Sequence, residues 1–295
     1  MLRPFPGPVV KSFASLPQAP GVDPLRMCGT RTGAHIECED RWVSLPGELL
    51  ERAARATPAT VEDRASGWWV RHSDGNAWWS SAVMAHDASD EGRLLERVEC
   101  AERFYAERDA TARFQVCPGC PRDLDRVLAD RGYRWEAPIS LQTMDVADPV
   151  EPRPPPGLDV RIGFRPDADW LAVLATTGGP RTVVEDEIEL LARVRQRSAY
   201  VTVLADDEPV AIGRAVADDG WTGVFAMATS PGARRRGAAR LVLSAIARWA
   251  REQDAPRLYL QVERSNTAAR RLYAAAGFAE LATYHYRVKD VRAPG

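Results

Sequence analysis

One stretch of the 295-residue chain constrains the rest. From Gly223 to Arg251 (GVFAMATSPGARRRGAARLVLSAIARWAR) an apolar run, a basic turn and a patterned helix follow without a gap. Val224 to Thr229 is apolar without alternation and reads as a short buried strand; Ser230-Pro231-Gly232 ends it, because proline cannot donate to a sheet ladder. Beyond the turn, Val242, Ala245, Ile246 and Trp249 fall at helical spacing, with Arg240, Arg248 and Arg251 on other faces. That pattern predicts an amphipathic helix packed on a sheet. The basic turn therefore sits at a helix N-terminus, where the first amides lack internal acceptors and the macrodipole adds positive charge. Arg234-Arg235-Arg236-Gly237-Ala238-Ala239 is thus a candidate cradle for a pyrophosphate, its small residues letting the backbone come close. Taken alone, the same turn also reads as a solvated charge run.

The length allows two domains of ordinary size, and 45% hydrophobic with 27% charged residues describes a globular chain. A net charge of -2 gives no overall basic footprint for nucleic acid, and no stretch is long enough to span a membrane. Residues 1–40 begin proline-broken and without a continuous apolar core, so they read as a flexible leader, with the cytoplasm as the default compartment. Five cysteines at irregular spacing argue against a disulfide framework. Cys117-Pro118-Gly119-Cys120, without a second pair or a histidine nearby in sequence, reads as a loop with two thiols, and no metal is expected.

In chain order, Leu45–Arg55 reads as a helix opening near Pro46. Trp68–Arg71 and Asn76–Ser81 read as a hairpin turning at His72–Asn76. Gly92–Arg108 is a helix, Phe114–Val116 a strand, Leu124–Asp130 a helix and Ile139–Met144 a strand. Pro152-Arg153-Pro154-Pro155-Pro156 marks a linker at 149–157. Leu158–Ile162 then starts a second half, with helices over Asp167–Leu174 and Val183–Arg197, the latter with an Ile188, Leu191, Val194 stripe, and strands over Ala199–Ala205 and Val210–Val216. Gln115 to Gly132 is matched by Gln261 to Gly277, a weak internal repeat.

Arg234-x-x-Gly237-x-Ala239, after a strand and before a helix, resembles the acyl-CoA pyrophosphate loop of the GNAT N-acetyltransferase superfamily. The resemblance continues through Leu258–Val262, Ser265–Ala269 and Leu272-Tyr273…Gly277-Phe278, and covers most of Asp159 to Val288. It implies an α/β fold with a mixed sheet flanked by helices. The tandem type of the superfamily, with a degenerate first unit over 41–148 and an acetyl-CoA-binding unit over 158–295, is also implied, since no such loop precedes Phe114. The cofactor-binding residues carried over are Met227, Ala228, Thr229, Arg234 to Arg236, Gly237 to Arg240, Asn266 and Tyr273; amides of the splayed strand would hold the pantetheine arm.

Acetyl transfer needs a neutral nucleophile, a donor to the carbonyl oxygen as it gains charge, and a proton for the departing thiolate. The resemblance gives Tyr273 the general-acid role, against a core tyrosine beside Phe278. Asn266 is either a cofactor contact or a helix cap. The strand before the loop has no titratable group, so the base is open between Glu263, acting through water, and solvent alone. Trp221 reads as an acceptor wall or as core. The implied activity is acetylation of a primary amine on a small molecule by direct attack in a ternary complex, by a monomer or homodimer. Acetylation of a protein or peptide, and non-catalytic acyl-CoA binding, stand as alternatives.

Overall fold

The computed structural model describes residues 35–74, 80–86, 91–146, 155–178 and 181–291. Most of the leader, the tip of the expected tryptophan hairpin at 75–79 and most of the linker lie outside these residues.

Eleven strands form one sheet in the order β1-β2-β3-β4-β11-β5-β10-β9-β8-β7-β6. The first half contributes α1 (His35–Ala56), β1 (Val61–Ala65), β2 (Trp68–His72), β3 (Val83–Met84), α2 (Leu94–Ala106), β4 (Thr111–Val116), α3 (Leu124–Asp130) and β5 (Arg134–Asp145). The second contributes β6 (Leu158–Gly163), α4 (Ala168–Gly178), α5 (Arg181–Arg193), β7 (Arg197–Ala205), β8 (Glu208–Asp218), β9 (Trp221–Thr229), α6 (Ala238–Glu252), β10 (Arg257–Glu263), α7 (Thr267–Ala276) and β11 (Ala279–Asp290). The last strands of the two halves interleave: β5 pairs antiparallel with β10, while β11 pairs antiparallel with both β5 and β4. A mixed sheet flanked by helices is therefore continuous across both halves.

Two elements differ from the sequence reading. The hairpin is β1–β2, closed by Ser66 and Gly67 at φ 49° and 87°, both left-handed as a two-residue turn with the sheet's twist requires. On its other side β2 pairs with β3, Trp69 opposite Met84 and Val70 opposite Val83. Helix α1 runs through Pro46 instead of opening there; beyond the proline Leu49, Leu50, Ala53 and Ala54 are buried.

Four apolar clusters hold the sheet. α6 and α7 pack on one face of the second half, with Val242, Ile246 and Trp249 against Val201, Ala211 and Leu258. α4 and α5 cover the other face through Trp170, Val173, Leu190 and Leu191. α2 and α3 cover β1–β4 around Trp68 and Phe114. α1 lies over the junction, Leu49 and Leu50 sharing a cluster with Trp221, Tyr259, Tyr284 and Tyr286. Charge fixes it there. Arg55 reaches Asp218 Oδ2 through Nε and Nη2 at 3.0 and 2.8 Å, and buried Arg52 donates to the Asp218 carbonyl at 2.7 Å and to Asp219 at 3.0 Å.

Candidate active site

The site begins at a backbone irregularity. β9 pairs parallel with β10 from Trp221↔Arg257 only as far as Val224↔Leu260, so on its β10 side Phe225–Thr229 has no strand partner. On the β8 side the register slips between Ile212↔Ala228 and Arg214↔Phe225, so Gly213 faces both Ala226 and Met227, with Ala226 at φ 49°. Such a bulge bends and twists a strand, here away from β10. Gly213 makes room for it: a Cβ there would stand 2.5 Å from Val242 Cγ1 and 2.8 Å from Met227 Sδ. Alternate backbone groups of Met227 to Thr229 thus face an opening, as the pantetheine reading requires.

At the end of β9 the chain turns through Pro231–Ala233 into the basic loop. Arg235 and Gly237 take φ 65° and 90°, and Gly237 is the N-cap of α6. The first amide of α6 with an intrahelical acceptor is Leu241, bonded to Gly237 O at 3.1 Å, so those before it face outward. Arg235, Arg236 and Arg240 are exposed around them; Arg234 is half-buried, its Nε donating to Thr229 O at 3.4 Å, and Ala238 is buried against the sheet while Ala239 is partly exposed. This is the geometry of a diphosphate cradle.

The opening leads into a cavity of about 480 Å³ whose wall draws on both halves. Met227, Thr229, Arg234, Asn266 and Tyr273 line it, as do Leu50 and Ala54 of α1 and Arg71 of β2. Tyr273 is buried, edge-on to Phe278 at 5.8 Å, and burial pushes its phenol up to about 12. Asn266 caps α7, its Oδ1 accepting from Ala269 N at 3.1 Å, and it also lines the cavity. Glu263 stands at the end of β10 on the same wall, accepting from the Ser265 hydroxyl at 3.2 Å. Trp221 is buried between Tyr259 and Arg257 and does not line the cavity, which leaves it the core reading.

Besides Arg71, two charged residues in this wall were not found from sequence. Glu187 of α5 lines the cavity, and desolvation raises its carboxyl above the ordinary value, opposed by the charge of Arg214. Arg214 of β8 is 1% exposed, lies over the Phe225 ring at 4.8 Å, and leaves Nε and Nη1 without hydrogen-bond partners. Of the stripe read from sequence, Leu191 is buried and Val194 packs against the same cluster, whereas Ile188 is 41% exposed, and Val184 and Leu190 are buried in its stead. Glu187 falls within that buried face, one turn from both Val184 and Leu191. The run Glu185-Asp186-Glu187 looks solvated until that face is placed.

Pseudo-symmetric glutamines complete the wall. Gln115 of β4 and Gln261 of β10 both line the cavity, and each meets a tyrosine of β11: Gln115 Nε2 donates to Tyr286 Oη at 3.4 Å, and the Tyr284 hydroxyl donates to Gln261 Oε1. The internal repeat read from sequence thus ends on one cavity.

A bulged, splayed strand running into a glycine-headed basic helix start, beside a cavity with a buried tyrosine, defines an acetyltransferase of the GNAT superfamily. A family model described as probable histone acetyltransferase Rv0428c, C-terminal, matches residues 48–287, and the chain belongs to that family. An uncharacterized N-acetyltransferase, YobR of Bacillus subtilis (strain 168), is 25% identical over 252 residues, covering 81% of this chain and 97% of that protein. Among solved structures, a GCN5-related N-acetyltransferase from Kribbella flavida superposes with a TM-score of 0.63 at 19% identity, covering 86% of this chain and 95% of that one. A tandem GNAT protein from the clavulanic acid biosynthesis pathway gives 0.61 at 15%, covering 86% and 89%; at these identities the likeness speaks for the fold. Among the described residues no helix is long and apolar enough to cross a membrane.

Proposed function

We propose that the chain transfers an acetyl group from acetyl-CoA to the primary amine of a small molecule, with Glu187 as the base and Tyr273 as the acid. The observation that carries this reading is the single cavity of about 480 Å³, whose wall includes both the open edge of β9 and the desolvated Glu187 carboxyl. That volume suits a small ligand.

The α6 amides and Arg234 to Arg240 hold the diphosphate, and backbone groups of Met227 to Thr229 align the pantetheine arm along β9. The acceptor arrives as an ammonium ion, and Glu187 takes its proton as the neutral nitrogen attacks the thioester carbon. A carboxylate with a raised pKa is better matched to that transfer than an ordinary one. The C–S bond then breaks, Tyr273 donates its proton to the thiolate, and the surplus proton on the acylated nitrogen passes to solvent, which reprotonates the phenolate. Tyr273 suits the acid role because burial keeps it protonated across the working pH range. Glu263, at the cavity wall but hydrogen-bonded to Ser265, is left a supporting role in orienting water.

The reading is tested by incubating purified protein with acetyl-CoA and a panel of small amines, amino acids, polyamines and aminoglycosides while following free thiol. Amine-dependent thiol release in the wild type that falls sharply in Glu187→Gln supports it. Release with peptide amines alone would move the acceptor class to proteins.

A further inference from the structure

In sequence the Cys117–Cys120 pair has no histidine near it. The fold supplies one. β3 pairs parallel with β4, Met84 opposite Gln115, so the residues leaving β3 run beside those leaving β4. That places His86 against the turn holding both cysteines, and one ring nitrogen of His86 and the two sulfurs all lie within 4.8 Å of one another. The two Sγ atoms are 3.7 Å apart. Two thiolates each ~2.3 Å from one tetrahedral ion stand about 3.8 Å apart, so the sulfurs already hold the spacing that zinc imposes.

The surroundings point the same way. His86 Nε2 is engaged with Gln115 Oε1 at 3.2 Å, while Nδ1 is buried without a hydrogen-bond partner. That is the arrangement of a metal-binding imidazole, whose remote N–H is held by an acceptor so that the other nitrogen presents its lone pair. A carboxylate stands beside the cluster: Glu51 Oε1 of α1 is 3.6 Å from His86 Nδ1. Cys117 is 8% exposed, and the turn that carries the pair is closed by the Cys120 N–H donating to Cys117 O at 3.1 Å.

We propose that Cys117, Cys120 and His86 form a zinc site, separate from the acetyl-transfer chemistry, with the adjacent Glu51 carboxylate moving in as fourth donor when the ion binds. Two thiolates with one imidazole and one carboxylate are a donor set that favours zinc over the oxygen-seeking cations. As the ion binds, the two Zn–S bonds form and two thiol protons pass to solvent, so affinity rises with pH. The site ties α1, the end of β3 and the β4–α3 turn together. Through Gln115, which bonds His86 and lines the cavity, it also fixes part of the acceptor wall.

The test is cobalt titration of the reduced, metal-stripped full-length chain, with zinc content of the untreated protein measured in parallel. The wild type takes up one cobalt with an intense thiolate-to-cobalt charge-transfer band and tetrahedral d–d bands, and zinc displaces it. Cys117→Ser/Cys120→Ser loses the band while Cys28 and Cys38 remain. Gln115→Ala, which removes the group orienting His86 and leaves all the metal donors in place, weakens zinc affinity by ~10–100-fold. If the double variant fails to fold, the wild-type spectrum still decides. A reduced wild-type chain with no charge-transfer band at saturating cobalt overturns the proposal, and so does an unchanged band in the double variant. A chain isolated with a Cys117–Cys120 disulfide that takes up no cobalt after reduction overturns it as well.

Discussion

Pro155, at the end of the linker between the halves, lies directly over Gly237, its Cγ 3.2 Å from where a Cβ on that glycine would stand. Pro155 therefore stands against the candidate diphosphate loop, and a side chain at Gly237 would have to push it back by a few tenths of an ångström. Gly237 also holds φ 90°, a conformation that costs a side-chain-bearing residue roughly 1–2 kcal/mol. Gly237→Val should accordingly abolish CoA binding in calorimetry, whereas Arg235→Ala, removing one exposed charge, should weaken it by about 1–3 kcal/mol. Equal affinity in Gly237→Val would show that the loop is not the cradle.

Glu187 should trade activity against stability. Its carboxyl binds a proton more tightly in the folded chain than in the unfolded one, because desolvation disfavours the charge. The group therefore favours folding at low pH, and that contribution is lost as pH rises from the ordinary value of 4.5 through the folded pKa. Glu187→Gln should raise Tm at neutral pH, with the gain shrinking toward acid, while removing the acid limb of the rate profile. A variant with unchanged Tm and an unchanged limb would exclude Glu187 as a buried base.

Tyr273→Phe should lower kcat by about 10²-fold or more, the contribution typical of a positioned acid. Because the hydroxyl is pushed up to about 12 by burial alone, the wild type should show no loss of activity from Tyr273 ionisation up to moderately alkaline pH. CoA affinity and Tm should change little, since the ring still packs edge-on to Phe278. Stopped-flow thiol release separates these terms. An unaltered rate would reduce Tyr273 to a core residue.

The α1 clamp predicts an ordering of stabilities. Arg52 is 6% exposed and bonded to the Asp218 carbonyl, so Arg52→Ala should cost about 1–3 kcal/mol. Arg55 is more exposed, and its pair with Asp218 should show a coupling of only ~0.2–1 kcal/mol in a double-mutant cycle. Chemical denaturation measures both. The reverse order would mean that the Arg55–Asp218 pair rather than Arg52 carries the clamp, and negligible effects from both would leave α1 held by apolar contact alone.

What the sequence made legible is what short-range physics decides. The strand, turn and helix around Gly237 follow from period, proline and glycine within thirty residues, and Val242, Ala245, Ile246 and Trp249 are all buried in α6. Asn266 caps α7 where its residue type predicts. What failed depended on distant partners. Nothing local in Arg134–Asp145 says that it will lie between β10 and β11. His72–Asn76 offered as good a turn as Ser66-Gly67, and only the pairing of β2 with β1 and β3 separates them. Glu187 was hidden by the run of charges around it and by placing Ile188 on the packed face, and His86 by the distance in sequence between β3 and the cysteines.

The most direct test is the pH profile of kcat/KM for acetyl transfer to a reactive amine, in the wild type and in Glu187→Gln, with CoA affinity measured alongside. The proposal predicts a wild-type rate that climbs with pH through a carboxyl pKa above 4.5, and a variant that binds CoA normally but has a low rate without that limb. Identical profiles in the two proteins, with CoA bound equally, would contradict it.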